Sequence, residues 1–311
     1  MSAAAIQTKR LAPLVAIAVA CGVGARDCGC KDGPAAFQQY WARKKGSRAW
    51  LAWEPAPRDL YTEFGASDTQ IGAPVDVVAR TGRWLAWTTR RLTRRRERFV
   101  VIGGDHSCAI GTWIGAAEGV PGPLGLIWID AHMDMHVPET SPSGAINGMA
   151  LAALIGHGAP ELTVLSCGRG AIAPHHVCLI GARSFEPEEV AFAQRHGIRV
   201  IGMKELRQRG IADACTEARA IAGTGVAGYG VSLDLDAFDP AEAPGVGTPA
   251  PDGIRPGEFL DAWSDLTCSA LCVGVEIVEY NPHRDEGGRT AQLLGKLVVG
   301  TVGEERLQWA S

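Results

Sequence analysis

Short runs of apolar residues, separated by longer amphipathic segments, restrict the fold of this 311-residue chain more than any other feature. The runs are rich in Val, Ile and Leu, and they lack the alternation of apolar and polar residues that is typical of strands with one face in water. Strands buried on both faces of a parallel sheet have this pattern. We therefore predict strands at 11–20, 99–104, 124–130, 176–182, 198–202, 229–235 and 271–278.

The amphipathic segments between these runs have the length and periodicity of helices. Strands that alternate with helices predict an α/β fold with a central, mainly parallel sheet and helices on both faces. No linker, repeat or low-complexity segment divides the chain, so the sequence predicts a single domain over residues 1–311. Helices are predicted at roughly 35–45, 83–97, 107–118, 146–156, 187–196, 209–222, 256–266 and 289–298.

The overall charge gives no reason to expect nucleic acid or an anionic membrane as a partner, because the net charge is −4 and the pI is about 6.1. No apolar stretch reaches the roughly 20 residues of a membrane span. A cluster of arginines at 90–98 could bind phosphate, but it follows an apolar, Trp-bearing stretch and precedes a predicted strand. We interpret it as a helix end that faces solvent or another subunit, because Lys and Arg are favoured near helix C-termini.

Two features bear on the compartment of the protein. Lys9 and Arg10 precede the apolar run 11–20, and small residues before Cys21 follow it, which imitates a secretory or lipoprotein signal. We favour a buried first strand, because similar apolar runs recur along the chain. The nine cysteines do not imply disulfides, since a chain of this length does not need them. Reduced thiols predict a cytoplasmic protein.

Polar residues interrupt three of the apolar strands at their C-terminal ends. The sequences are GGDHS at 103–107, DAHMD at 130–134 and SLDLDAFDP at 232–240. In a parallel α/β sheet, the loops at the carboxyl ends of the strands are where sites form. We therefore expect the polar residues of these segments to meet at three adjacent strand ends.

The spacing within these segments brings metal-ligand side chains together, because residues two apart in an extended segment point the same way. Asp130 shares a direction with His132 and Asp134, and Asp234 shares one with Asp236. Carboxylates crowded at one edge repel one another and are costly to bury without compensation. Divalent cations would resolve that conflict. Together with the histidine of GGDHS, the set suits Mn²⁺, Ni²⁺, Co²⁺ or Zn²⁺ better than Ca²⁺.

The three segments resemble, in order and spacing, the signature segments of the ureohydrolase family of arginases and agmatinases, and the resemblance extends over nearly the whole chain. It implies an arginase-like three-layer sandwich, hydrolysis of a guanidine-type substrate with release of urea and an amine, and assembly into trimers or hexamers. It also implies two divalent metal ions per chain, Mn²⁺ or Ni²⁺. One would be held by His106, Asp130, Asp134 and Asp234, the other by His132, Asp130, Asp234 and Asp236, with Asp130 and Asp234 bridging.

The resemblance extends to residues that would contact the substrate. Glu279 falls where the family has the carboxylate that accepts guanidinium N–H bonds, and a carboxylate is the natural bidentate partner of that cation. Thr248 and Ser143 fall in segments that imply substrate binding. Glu186 and Glu189 resemble the acidic pair that reads an α-amino group, although the first of these acids is normally the shorter Asp. An ordinary acidic cluster at a helix start is an equally good interpretation of that pair.

One segment departs from the family pattern. Arginases usually have a His where this chain has Asn147 and an Asn where it has Ala145. That His shuttles a proton to the leaving amine, and an amide cannot titrate near neutral pH. His136, two residues after Asp134, is a candidate replacement for the proton donor, and His283 is a more remote one.

These observations predict a dinuclear hydrolase of a guanidine-type substrate other than plain L-arginine. The alternative is a weakly catalytic or non-catalytic paralogous subunit that supports an active partner in a hetero-oligomer. A metal-dependent deacetylase, which has the same sheet topology, is disfavoured because its usual His-His pair and catalytic Tyr signal are missing. Trp and Arg residues between 83 and 98 are the predicted subunit contacts, because these residue types are enriched in interface cores.

Overall fold

The computed structural model describes residues 14–44, 51–56 and 74–302. Within these ranges eight strands form one sheet in which every pairing is parallel. The strands are β1 (Leu14–Ala18), β2 (Leu51–Glu54), β3 (Phe99–Ile102), β4 (Leu124–Ile129), β5 (Val177–Ile180), β6 (Arg199–Ile201), β7 (Gly228–Asp234) and β8 (Cys272–Val278). Their order across the sheet is β2-β1-β3-β8-β7-β4-β5-β6.

Ten α-helices within the same ranges cover the sheet on both faces. They are α1 (Gly33–Ala42), α2 (Pro74–Arg94), α3 (Cys108–Gly119), α4 (Ala150–Leu154), α5 (Pro160–Thr163), α6 (Pro187–His196), α7 (Met203–Arg209), α8 (Ile211–Gly223), α9 (Pro256–Thr267) and α10 (Arg289–Gly300). Buried residues of α1 and α7–α10 pack in one apolar core, and those of α2–α6 pack in another. The predicted α/β sandwich of three layers is therefore confirmed.

The strand β4 explains why the sequence shows no polar alternation. Ile127 and Ile129 belong to one apolar core, whereas Leu126 and Trp128 belong to the other. Because alternate side chains of a strand point to opposite faces, a strand between two helical layers needs apolar residues at every position.

Several predicted boundaries were wrong. The strand β2 was missed, since its four residues at the sheet edge carry only a weak signal. The first strand was predicted at 11–20; it is confirmed at Leu14–Ala18, and residues 11–13 lie outside the described residues. The helix predicted at 209–222 is preceded by a second helix, α7, and the two meet at Gly210, whose φ is +84°. The helix predicted at 146–156 begins as a 3₁₀ turn over Asn147–Met149 before α4.

The arginine cluster lies at the end of α2, as predicted. Arg91 forms an ion pair with Glu54 at 2.5 Å, and Arg90 lies 3.4 Å from Glu118. The three residues 94–96 are exposed. No helix in the described part of the chain is long and apolar enough to cross a lipid bilayer.

The order of the strands corrects one expectation about the site. The predicted ligands follow β3, β4 and β7, but these strands are not all adjacent, because β8 lies between β3 and β7. The chain leaves β3, passes beyond the positions of β8 and β7 to form β4, and returns to them later. The carboxyl ends of these four central strands therefore surround the point where the direction of strand addition reverses, which is where open α/β sheets bind ligands.

Candidate metal centre

The predicted ligands lie at the C-terminal ends of central strands or in the loops that directly follow them. His106 lies between β3 and α3, and Asp130 directly follows β4. Asp234 ends β7, and Asp236 lies in the 3₁₀ turn that follows it. The strands are fully buried, so their ends provide a rigid base on which short loops carry the polar side chains.

The first cluster surrounds His106, whose side chain is buried. Its Nδ1 atom lies close to three carboxylate Oδ2 atoms, at 3.0 Å from Asp130, 3.1 Å from Asp134 and 3.3 Å from Asp234. An imidazole nitrogen has one lone pair or one proton, so it cannot satisfy three carboxylates by itself.

The second cluster surrounds His132. Its Nδ1 atom lies 3.1 Å from Asp236 Oδ2 and 3.5 Å from Asp130 Oδ1. Asp130 therefore faces the first cluster with Oδ2 and the second with Oδ1, which is the arrangement of a bridging carboxylate. Asp234 faces the first cluster with Oδ2, while its Oδ1 accepts a hydrogen bond from the Asp236 N–H.

Two unpartnered atoms indicate that this donor set fits cations. His106 Nδ1 and Asp134 Oδ2 are buried and have no hydrogen-bond partner among the described residues, although they lie 3.1 Å apart. Burial and the charge of Asp130 raise the pKa of Asp134 to about 7. Burial and the charges of Asp236 and Asp130 raise the pKa of Asp234 well above its usual value. Divalent ions would coordinate the unpartnered atoms and neutralise the crowded carboxylates.

Two residues of the site have backbone conformations that L-amino acids seldom adopt. Asp134 has a φ of +54° and Glu279 a φ of +65°. Each such conformation costs of order 1–3 kcal/mol and persists only where the surroundings impose it. Hydrogen bonds impose it here, since the Glu279 N–H donates to Gly104 O and the Asp134 carbonyl accepts from Leu151.

The structure brings Asn147 and Glu279 together. The Asn147 Nδ2 atom donates to Glu279 Oε1 at 3.1 Å, and the same oxygen accepts from the His106 backbone N–H at 3.0 Å. Glu279 is 1% exposed, and its burial, together with the charge of Asp105, raises its pKa to about 8. The carboxylate predicted to face the guanidinium is thus held beside the first cluster.

His136 lies in a third group of ligand-type side chains with Glu186 and Glu189. Its Nε2 lies 3.0 Å from Glu186 Oε2 and 3.5 Å from Glu189 Oε2, and its Nδ1 lies 3.1 Å from Thr140 Oγ1. The two glutamates also form a capping box at the start of α6, so the helix-start interpretation of this pair describes the structure. Glu189 is buried, whereas Glu186 is about half exposed.

Thr248 and Ser143 occupy different environments. The Thr248 hydroxyl donates to Asp236 Oδ2 at 3.1 Å, which places it beside the second cluster. Ser143 lies in an exposed loop, where its hydroxyl accepts from the Ala145 N–H at 3.1 Å. Ser143 is therefore not held against the clusters by the contacts of this structure.

Sequence reasoning missed residues that support the site. The Trp128 ring stacks on His106 with ring centroids 4.0 Å apart, and its Nε1 donates to Asp130 Oδ2. The Arg183 guanidinium donates to backbone carbonyls of the loop after β7, including Asp236 at 2.6 Å and Ala250 at 2.9 Å. Trp128 was not recognised because an aromatic residue in an apolar strand is ordinary. Arg183 was not recognised because its partners are backbone carbonyls, which leave no signal in the sequence.

A cavity of about 1010 Å³ opens beside the site, at the ends of β5 and β6. Arg183, Phe185, Lys204 and Arg207 are among its lining residues. None of the six predicted metal ligands lines it, so the size of this cavity says nothing about the space above the metal clusters.

Comparison with known proteins agrees with this geometry. A model of the arginase family matches residues 12–303. The arginase of Bacillus caldovelox is 40% identical over 228 residues, which cover 73% of this chain and 76% of that protein. The arginase of Bacillus subtilis (strain 168) is 37% identical over 223 residues, covering 72% and 75%. The solved structure of the B. caldovelox arginase superposes with a TM-score of 0.84 at 34% identity, over 94% of this chain and 99% of that one.

Proposed function

This chain belongs to the arginase family, and we propose that it hydrolyses a C–N bond of a guanidine-type substrate other than L-arginine, with two divalent ions, Mn²⁺ or Ni²⁺. The observation that carries this proposal is the pair of His–carboxylate clusters that share Asp130. When bound, such a pair of ions supplies Lewis acidity and a water whose pKa is lowered toward neutrality. Arrangement of the substrate is the task of the protein side chains.

Glu279 is proposed to orient the substrate. A carboxylate accepts two parallel N–H bonds from a planar guanidinium, which fixes the plane of the reacting carbon. Asn147 Nδ2 and the His106 N–H hold Oε1 in place before the substrate arrives. A guanidinium partner also favours the charged form of Glu279, whose pKa is raised to about 8 without one.

We propose that Asn147 makes L-arginine a poor substrate. Both curated relatives cited above are named arginases. Expulsion of an amine from the tetrahedral intermediate requires a proton, and the Asn147 amide cannot supply one at neutral pH. Its Nδ2 is instead engaged with Glu279. A substrate with a less basic leaving group depends less on this proton, and the ammonia expelled from free guanidine is less basic than an alkylamine.

His136 is the proposed proton donor for a substrate whose leaving group comes within its reach, and such a substrate escapes the limit that Asn147 sets. Its Nε2 lies 3.0 Å from Glu186 Oε2, so donation requires that this contact be exchanged for one with the leaving group. Glu186 is about half exposed and can rotate away, whereas Glu189 is buried and accepts from the Met135 N–H. We further propose that Glu186, Glu189, Ser143 and Thr248 contact the substrate.

The test is release of urea, or of a substituted urea from the biguanide, by the purified chain loaded with Mn²⁺ or Ni²⁺. The panel contains L-arginine, agmatine, a guanidino acid, free guanidine and a biguanide. We expect a metal-dependent activity that a chelator abolishes and that is highest on a member other than L-arginine. Preference for L-arginine would leave the hydrolase proposal intact and remove the substrate proposal.

The second candidate is a supporting subunit in a hetero-oligomer. It is favoured by the amide at Asn147, and it would be preferred if both ions were bound and no member of the panel were hydrolysed. Either function is proposed to involve an oligomer. Trp87 on α2 is 61% exposed, and the Arg91 guanidinium lies 5.3 Å from the centre of its ring. Light scattering should therefore give a mass above that of the 32.8 kDa chain; a monodisperse monomer would contradict assembly.

A further inference from the structure

A buried carboxylate that the proposed chemistry does not use lies below the metal clusters. Glu276 occupies the middle of β8, where its neighbours along the strand are apolar, and it is 0% exposed. Burial raises its pKa, since the charged form loses its hydration. A charged side chain at such a position is costly to bury unless it is paired and hydrogen-bonded.

Two hydroxyl groups from neighbouring elements donate to Glu276. Thr112 of α3 makes a short hydrogen bond to Oε1, and Ser232 of β7 donates to Oε2 at 2.8 Å. Ser232 and Glu276 are register partners in adjacent parallel strands, so the sheet itself sets their side chains next to each other. All three side chains are fully buried.

Ser232 connects this carboxylate to a predicted metal ligand. Its Oγ lies 3.0 Å from His106 Nε2. A serine hydroxyl has a single proton, and here that proton is donated to Glu276. Ser232 can therefore only accept from His106, which requires a proton on Nε2; in the neutral imidazole, the form that binds a metal ion, the lone pair is then on Nδ1.

Nδ1 is the atom that faces the first cluster. It lies between 3.0 and 3.3 Å from the oxygens of Asp130, Asp134 and Asp234, and it has no hydrogen-bond partner in the part of the chain that the structure describes. The stacked Trp128 ring prevents the imidazole from tilting out of this orientation. The direction of the hydrogen bonds from His106 through Ser232 to Glu276 thus matches the tautomer that a metal ion needs.

We propose that Glu276 is a positioning residue for metal binding, which acts through Ser232 to keep His106 in the tautomer with a free Nδ1 and to increase the basicity of that nitrogen. The inference rests on the proposed function in that it assumes a cation at the first cluster. Groups that orient a metal-bound histidine in this way are typically worth about 10- to 100-fold in metal affinity.

The experiment measures Mn²⁺ affinity of the full chain by competition with a chelator. Ser232→Ala breaks the connection and should weaken one of the two ions by about 10- to 100-fold while the other changes little. Glu276→Gln keeps an acceptor for Ser232 but removes the charge, so a smaller loss is expected. Thr267→Val removes a buried hydroxyl of α9 that donates to the backbone carbonyls of Trp263 and Gly300, and it should leave both affinities unchanged.

The double variant separates positioning from general damage to the fold. If Glu276 acts through Ser232, then Glu276→Gln should have no further effect on Mn²⁺ affinity once Ser232→Ala is present. Additive losses, or wild-type affinity in a folded Ser232→Ala variant, would overturn the proposal.

A measurement on the unmodified chain covers the case in which a variant does not fold. In ¹⁵N-histidine-labelled protein loaded with diamagnetic Zn²⁺, His106 should show a proton on Nε2, and a proton on Nδ1 would overturn the proposal. Failure of the wild-type chain to bind any divalent ion would instead refute the proposed function itself.

Discussion

The floor and the rim of the site differ in how firmly the structure holds them. We call the six predicted metal ligands together with Glu279 the floor, and residues 136–148 together with 186–189 the rim. Except for His132, the floor side chains are at most 7% exposed, and they extend from the ends of central strands. The rim contains exposed loop residues and a half-exposed glutamate, and many of its hydrogen bonds are local.

This difference suggests that separate parts of the site determine the metal chemistry and the choice of substrate. The two predicted metal clusters and Glu279, the carboxylate proposed to face the guanidinium, depend on the positions of buried central strands. On the proposed function, the chemistry of the leaving group and the choice of substrate depend on the rim, which contains Asn147 and His136. Relatives that share the floor can therefore differ in substrate.

The largest expected effect comes from the shared residue of the floor. Asp130→Ala should reduce bound metal from about two ions per chain to near zero, because its two oxygens face the two histidines separately. Asp236→Ala should remove only the ion at the His132 cluster. Elemental analysis after metal loading and gel filtration measures both.

The control is Asp261→Ala, which alters an exposed aspartate on α9. It should retain both ions. Normal metal content in Asp130→Ala would show that Asp130 does not bind both ions, and that the floor does not determine metal binding.

The next largest effect is expected at Asn147, a rim residue that contacts Glu279 of the floor. Asn147→His, alone and with Ala145→Asn, should increase urea release from L-arginine or agmatine, by up to about 10²–10⁴-fold if general acid catalysis is fully restored. Steady-state kinetics should place the gain in kcat. Asn147→Ala, which removes the contact with Glu279 without adding a titratable ring, should give no gain. Efficient arginine hydrolysis by the unmodified chain would show that the proton takes another route.

The sequence predicted the floor better than the rim for a physical reason. The carboxyl ends of parallel strands all lie at the same edge of a sheet. Asp130 and Asp234 could therefore be assigned to that edge without knowing the strand order. The order itself was not predictable, and β8 between β3 and β7 was not expected. In the rim, the contact of His136 with Glu186 depends on two loops meeting across 50 residues, which no local pattern encodes.

The floor should also give the metal-free protein an unusual pH dependence. Asp134 and Glu279 have folded-state pKa values of about 7 and about 8, raised chiefly by burial. Because these values lie above those of the unfolded chain, their contribution to stability is present at low pH and is lost as pH rises. His106 and His132 act in the same direction, since nearby aspartates outweigh burial and raise their pKa.

We therefore expect the melting temperature of the chelator-treated chain to fall between about pH 5 and about pH 8, while the Mn²⁺-loaded chain changes much less. Scanning calorimetry across this range checks it. Glu279→Gln should flatten the metal-free curve in part. A metal-free curve that is level or rises with pH would mean that the buried carboxylates are already compensated by other groups.

The smallest effect is expected in the rim, at Glu186. Glu186→Ala removes a helix cap and the contact with His136, so the free energy of unfolding should fall by about 1 kcal/mol. Both metal ions should remain bound, because Glu186 belongs to neither His–Asp cluster. Relative activity across the guanidine panel should shift, since removal of this carboxylate frees His136 Nε2 and changes the charge at the mouth of the site.

Glu188→Ala is the matched control, because it deletes an exposed carboxylate of the same helix and should alter neither stability nor preference by a comparable amount. Loss of metal in Glu186→Ala would mean that rim and floor are one coupled unit, and the substrate could then not be changed without disturbing the metal chemistry.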